Sequence, residues 1–274
     1  MSRASLASLP ATPPVLAEFD ELLKMRELLL AEPDEATASA VMRRFWDICC
    51  GTTDPERVGV LEAAPQYAVL RAFFSVRWGI HLRRLETLAS REILADASAT
   101  DLSAASMLAL ENYRGIDGEL DLLGESPAHN AVVLGCGPFP ETLIGLQHSA
   151  LVGESLTGVD RNHEAVALAD AMTRRLCAPR PTVTITHADA EGVDFPAFDL
   201  VVVANGLTGK TRLLDRIHRT APPGVRVLVR NPTLLARMLY DHVDPGPRSG
   251  WRVTERRATT ALSETLLLER GEHA

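Results

Sequence analysis

The residues able to do chemistry stand at the ends of short apolar runs in the second half of the chain. Ala131-Val132-Val133-Leu134 leads into Gly135-Cys136-Gly137-Pro138-Phe139-Pro140. Glycines after a strand let the backbone come close to a ligand, and the start of a following helix offers unpaired N–H groups. A second apolar run ends at Asp160-Arg161, a third at Asp189-Ala190 and a fourth at Asn205-Gly206. A carboxylate at the second end can accept both hydroxyls of a ribose, and one at the third can accept from an adenine amino group. Four such ends meeting at one sheet edge describe a pocket for an adenine nucleoside, with Gly135, Cys136, Gly137, Pro138, Asp160, Arg161, Asp189, Ala190, Asn205 and Gly206 as its lining.

Other chemistries fare worse. The dinucleotide fingerprint GxGxxG fails because Pro140 stands where its third glycine belongs. Ala204-Asn205-Gly206-Leu207-Thr208-Gly209-Lys210-Thr211 misses a triphosphate-binding loop by its first glycine, and it follows the fourth strand instead of the first. Cys136 sits between two loop glycines, a slot that asks only for a small residue. The four cysteines show no CxxC or Cys/His spacing and the histidines are scattered, so neither a disulfide framework nor a metal is expected.

The elements that must position these groups follow from composition and periodicity. The chain has 274 residues, 46% of them apolar, and 28 Lys+Arg against 36 Asp+Glu give a net charge of −8. That balance argues against nucleic acid or an anionic membrane as partner. No apolar run reaches the ~18 residues of a membrane span and no signal-peptide core precedes the early prolines, so a cytoplasmic protein is expected. From Pro14 to about Ile93 apolar residues recur at helical spacing, with Val15, Phe19, Leu22, Leu23 and Leu29 in one stripe and Val41, Met42, Phe45 and Cys49 in another. A long helix is predicted from Pro65 to about Ala95, then a short one ending near Gly124. After Pro127 short apolar runs alternate with helical segments, as in a parallel sheet covered by helices. The expected organisation is an all-helical N-terminal domain over 1–125 and an α/β nucleoside-binding domain over 126–274.

The arrangement resembles a class I S-adenosylmethionine (SAM)-dependent, Rossmann-like methyltransferase fold. More specifically, VVLGCGPFPETLIGL resembles the FIGSGPLPLTSI segment of the nicotianamine synthases and of the shorter bacterial nicotianamine-synthase-like enzymes that make opine metallophores such as staphylopine and pseudopaline. FDLVVVANGLTGKTRLLDRIHRTAPPGVRVLVRN and LLARMLYDHVDPGPRSGWRVTERR are similar to later segments of that family, and Glu86 and Asn112-Tyr113 stand where it has a Glu and an Asn-Tyr. The similarity covers roughly residues 80 to 270, and GxGPxP is its most distinctive element.

The resemblance implies transfer of a 3-amino-3-carboxypropyl (aminobutanoyl) group from SAM, the donor substrate, to the amine of a small amino acid, with histidine a candidate, leaving methylthioadenosine. Cyclisation of SAM to azetidine-2-carboxylate and ordinary methyl transfer are the alternatives, and a non-enzymatic binding module stands behind them. Glu86 is the candidate base: Leu82, Ala89 and Ile93 share its helical stripe, although Arg83 at i−3 allows a surface ion pair instead. Tyr113 is the second catalytic candidate, able to cover a sulfonium or orient the amine, or to serve as a core aromatic. Arg230, after the fifth-strand run, either binds a substrate carboxylate or is a solvated strand end. Phe139 and the flanking prolines are expected to set the pose of the donor's amino-acid arm. Glu141 departs from the family, which has an apolar residue there, and so does the segment ending at Glu264. A homodimer is the candidate assembly.

Overall fold

The computed structural model of the chain describes residues 14–104, 116, 118–124, 126–177, 182–246, 249–260 and 262–271. Four helices come first: α1 (Pro14–Leu30), α2 (Glu35–Gly51), α3 (Pro55–Glu62) and α4 (Tyr67–Ala95). Asp34 and Asp54 cap α2 and α3 by accepting from the backbone N–H of Thr37 and Glu56, satisfying donors that helix starts leave open. The predicted stripes turn inward. Phe19, Leu22, Met25 and Leu29 of α1 and Val41, Met42, Phe45 and Cys49 of α2 are buried, and Phe45 stacks on Phe74 of α4 with ring centroids 4.2 Å apart. This core is not confined to the helices, because Leu235, Met238, Leu239 and Leu262 from the C-terminal half belong to it. No helix among the described residues is long and apolar enough to cross a membrane.

The second half builds seven strands: β1 (Ala128–Leu134), β2 (Val152–Asp160), β3 (Thr182–His187), β4 (Leu200–Val203), β5 (Arg226–Pro232), β6 (Trp251–Thr260) and β7 (Ser263–Arg270). Their order is β3-β2-β1-β4-β5-β7-β6. The first five run parallel, while β7 inserts antiparallel between β5 and β6. The order reverses at β1, so the crevice for a ligand opens at the carboxyl ends of β1, β2 and β4. Helices α5 (Glu141–His148), α6 (His163–Leu176) and α7 (Lys210–Thr220) cover the sheet. Alternate residues of β1 serve its two faces: Ala131 and Val133 pack with Leu143 and Ala169, while Val132 and Leu134 pack with Leu213 and Ile217.

One close approach sets how α5 lies on the sheet. A Cβ placed on Gly158 of β2 would come within 2.5 Å of Leu143 Cδ1, 2.9 Å of Ile185 Cδ1 and 3.2 Å of Cys136 Sγ. Gly158→Ala is therefore expected to lower unfolding free energy in urea by about 1–3 kcal/mol. Gly153→Ala on the same strand, whose added Cβ meets only the Ala128 carbonyl at 3.7 Å, should cost well under half of that.

Candidate active site

The turn after β1 is built by backbone geometry first. Gly135 and Gly137 have φ of +72° and +67°, a region where a side chain strains the chain. The N–H groups of Gly135 and Cys136 both donate to the Val159 carbonyl, and that of Gly137 donates to Asp160 Oδ2 at 3.0 Å. Asp160 Oδ1 accepts from the Asn162 N–H at 2.8 Å. Asp160 thus locks the glycine turn to the end of β2 and keeps further lone pairs, as a carboxylate has about four acceptor positions. A Cβ on Gly135 would touch Leu207 at 3.0 Å, which brings the loop after β4 against the same turn.

The other predicted nucleoside contacts lie around this crevice. Arg161 is exposed, and its carbonyl is bonded to His187 Nε2. Asp189 is exposed with Oδ1 taken by the Glu191 N–H, and Ala190 opens the short turn that follows. Asn205 accepts from Lys210 Nζ at 3.1 Å, and a Cβ on Gly206 would meet nothing within 4 Å. Pro138 is buried with the turn, and Cys136 is buried with its thiol pushed up by desolvation, which fits a packing role. Lys210 turns inward, and its Nζ donates also to the Arg230 carbonyl at 2.8 Å, so it does not extend toward a phosphate.

Helix α4 closes the turn from the helical side. Phe139 is buried with Ala89, Ile93, Ile144 and Met172, and Ser90 Oγ donates to the Pro138 carbonyl at 2.8 Å. Phe139 thus anchors the loop to α4, its ring buried beside Ala89 and Ile93. One turn earlier on the same stripe, Glu86 reaches the loop. A Cβ on Gly137 would stand 3.2 Å from Glu86 Oε2. Glu86 makes no hydrogen bond or salt bridge among the described residues, and none to Arg83 in particular. Burial, then the charges of Glu141 and Asp160, push its carboxyl up to about 8, against the smaller opposing pull of Arg83 and Arg230.

Arg230 is a correction. Its Nε and Nη2 grip both oxygens of Glu119 at 2.8–2.9 Å, Nη2 also donates to Thr142 Oγ1 at 2.8 Å, and Nη1 reaches Glu141 Oε1 at 3.4 Å. Thr265 Oγ1 donates to Glu119 Oε1 at 2.8 Å. The guanidinium is held by the protein's own carboxylates and is not a solvated strand end. Glu141, the first residue of α5, is driven up to about 7 by burial, with Arg230 opposing and Glu119 adding to the rise.

Sequence reasoning passed over Glu119 and Tyr240. Tyr240 is partly buried against the helical core and its hydroxyl accepts from Trp78 Nε1. Its signal was present in the quoted LLARMLYDHVDP segment, whereas nothing local marked Glu119. Asn112 and Tyr113 lie outside the described residues. Among the described residues no group of three or more His, Cys, Asp or Glu could hold a metal ion.

The strand order and the crevice at β1, β2 and β4 define a class I SAM-dependent, Rossmann-like fold carrying an N-terminal helical part. No protein-family model matches the chain. It is similar to the L-histidine 2-aminobutanoyltransferase of Pseudomonas aeruginosa, at 27% identity over 159 residues. That match covers 57% of this chain and spans 59% of the relative's length. MtNAS in complex with MTA and tNA superposes at a TM-score of 0.77 and 19% identity, over 96% of this chain and 100% of that one. A Glu-to-Gln mutant of MtNAS in complex with S-adenosylmethionine gives 0.75 and 17%, over 92% and 98%. The magnesium protoporphyrin IX methyltransferase of Synechocystis PCC 6803 with bound SAM gives 0.51 and 15%, over 76% and 99%. The resemblance to nicotianamine-synthase-like aminobutanoyltransferases read from the residues is thereby upheld.

The half-buried Glu86 carboxyl carries a stability signature. Its ordinary value is 4.5 and its folded value about 8, so the folded state holds a proton that the unfolded state has released between these limits. Stability from this group is full below about pH 4.5 and declines as pH rises through about 8. Glu86→Gln should therefore melt close to wild type at pH 5 and be more stable at pH 9, by roughly 2 kcal/mol once partial access to solvent is allowed for.

Proposed function

We propose that this chain is an enzyme that uses SAM as donor substrate. It transfers the 3-amino-3-carboxypropyl (aminobutanoyl) group to the amine of a small amino acid, histidine foremost, and releases methylthioadenosine, as a step toward an opine-type metallophore. The observation that carries the reading is Glu86: a half-buried carboxyl with no hydrogen bond or ion pair among the described residues, close to the glycine turn where the donor's arm would lie. An ammonium must lose its proton before its nitrogen can attack a sulfonium carbon, which calls for a base beside the donor. The similar aminobutanoyltransferase of Pseudomonas aeruginosa supports the same reaction class.

The residues fit the donor by their own geometry. Gly137 leaves a cradle that a side chain would fill, Asp160 fixes the turn and offers lone pairs to ribose hydroxyls, and Asp189 and Ala190 stand one strand further along for the adenine. When bound, the donor supplies a sulfonium whose γ-carbon takes the amine's electron pair while the carbon–sulfur pair leaves with methylthioadenosine. Glu86 takes the ammonium proton that frees that electron pair, and Tyr240 is placed to orient the nitrogen through its hydroxyl. Because α4 holds Glu86 and the loop in one register, base and donor site are presented together, which is where proximity contributes most.

Incubation with SAM and a panel of amino acids, read by mass spectrometry, tests this. Methylthioadenosine with an aminobutanoyl adduct is expected, falling about 100-fold or more in Glu86→Gln. S-adenosylhomocysteine as product would establish methyl transfer instead, and methylthioadenosine formed without an added amine would establish cyclisation.

A further inference from the structure

We propose that Arg175 is a positioning residue for the transfer: its guanidinium grips the carboxyl end of α4, fixes how far along its axis that helix sits, and so sets where Glu86 meets the turn after β1. This rests on the transfer reaction proposed above and gives a residue of α6 a part in it. Three observations carry it. First, Arg175 Nη1 donates to the carbonyls of Ile93 at 2.8 Å and Leu94 at 3.0 Å, and Nη2 donates to those of Asp96 and, at 3.2 Å, Ala99. Second, the helical pattern of α4 ends with the Asp96 N–H on the Glu92 carbonyl, and its last turn holds no basic residue of its own. Third, Arg175 stands in the last turn of α6, a helix that starts beside the glycine turn. Asp160 accepts there from the N–H groups of both Gly137 and Asn162, and Asn162 caps α6.

Only the last carbonyls of a helix lack donors within it, so a guanidinium that binds them recognises the helix end itself. Sliding α4 by one turn would confront Arg175 with carbonyls already bonded, or with none. The apolar contacts of the same interface, Ala89 and Ile93 with Met172 and Leu176, are non-directional and so less particular about register. Another polar link between the two helices, Arg91 to Glu164 at 2.7 Å, is exposed on both sides and holds little. Glu86 lies two helical turns before Ile93, about 10 Å along the axis, with unbroken helix between them. Arginine brings what lysine cannot, a flat fork whose donors spread over several carbonyls.

The test compares Arg175→Lys, which keeps the charge, and Arg175→Met with Arg174→Met, an exposed neighbour that pairs with Asp170 on its own helix. Assayed well below their melting temperatures, both Arg175 variants should lose about 10-fold or more in kcat for methylthioadenosine formation, while SAM affinity by calorimetry stays within about 2-fold. Arg174→Met should match wild type. The pH profile is the readout that a merely structural role would not move. Burial, Glu141 and Asp160 hold the Glu86 carboxyl high, and Arg83 and Arg230 oppose them. A loosened α4 hydrates that carboxyl, so the acidic limb of kcat should move to lower pH in the Arg175 variants. Independently of turnover, the gain in melting temperature at pH 9 from Glu86→Gln should shrink by at least half in the Arg175→Met background. An acidic limb and a pH 9 gain that both stay in place in Arg175→Met would overturn the proposal. Wild-type kcat in Arg175→Lys would do so too, since only a charge at the helix end would then be needed. No methylthioadenosine from the wild type with any amine would sink the transfer reaction, and a shrunken gain would still assign Arg175 the placing of Glu86.

Discussion

The site depends on one contact: the stripe Glu86, Ala89, Ser90 and Ile93 of α4 set against the turn after β1. Three of these residues fix the register. Ala89 and Ile93 enclose Phe139, and Ser90 bonds the Pro138 carbonyl. The fourth is then delivered to Gly137. A slip of one helical turn, about 5.4 Å, would replace the carboxyl at the turn by a different side chain. The helical half is therefore packed onto the turn after β1, and its core is correspondingly continued by Leu235, Met238 and Leu262 from the other half. Packing energy spent on Phe139 holds chemistry in place a turn away, on elements stiffer than a loop.

Burial of carboxyls is the counterpart of that precision. Glu119 and Arg230 offset each other in a bidentate pair joined by Thr142 and Thr265, an arrangement in which nearly every charged atom has a partner. Glu86 and Glu141 are not offset in this way, and both hold protons well above the ordinary carboxylate range. Position moderates the cost for Glu141, which begins α5 where the helix end is electropositive. No comparable relief exists for Glu86 in the middle of α4. A destabilised group kept at a cavity is the usual relation between active sites and stability.

Much of the fold was legible in the residues because it rests on local periodicity. The strands after Pro127 came from apolar runs buried on both faces, and α4 from a 3.6-residue repeat that the structure carries from Tyr67 to Ala95. The strand ends that hold Gly135, Asp160, Asp189 and Asn205 followed directly from those runs. Side-chain destinations were legible only where one element decides them. Glu86 had two readings, an apolar stripe or a pair with Arg83, and tertiary packing against the loop selected the first. Arg230 was misjudged because its partner is 111 positions away, on a segment with no periodic signal. The packing of Phe139 was not legible because it depends on the approach of α4, an element some fifty positions earlier.

The polarity of the cavity follows from where the cations went. Lys210 opens α7 in a sequence that mimics a phosphate loop, yet it is buried, held near 7 by desolvation and bonded to Asn205 and to the backbone of the residue whose guanidinium grips Glu119. Both positive groups are thus used to tie β4, β5 and the 118–120 turn together. The charges that act most on Glu86 are those of other carboxyls, Glu141 first and then Asp160. Any reaction that brings a sulfonium beside an ammonium must offset two like charges before the nitrogen can approach. A nearby carboxyl lowers that repulsion, and burial raises both Glu86 and Glu141 toward neutrality. A cavity lined by a free arginine would favour an acidic partner and oppose both arrivals. Arg230 and Lys210 are instead bound into the scaffold, the first by Glu119 and the second by Asn205 and the Arg230 carbonyl.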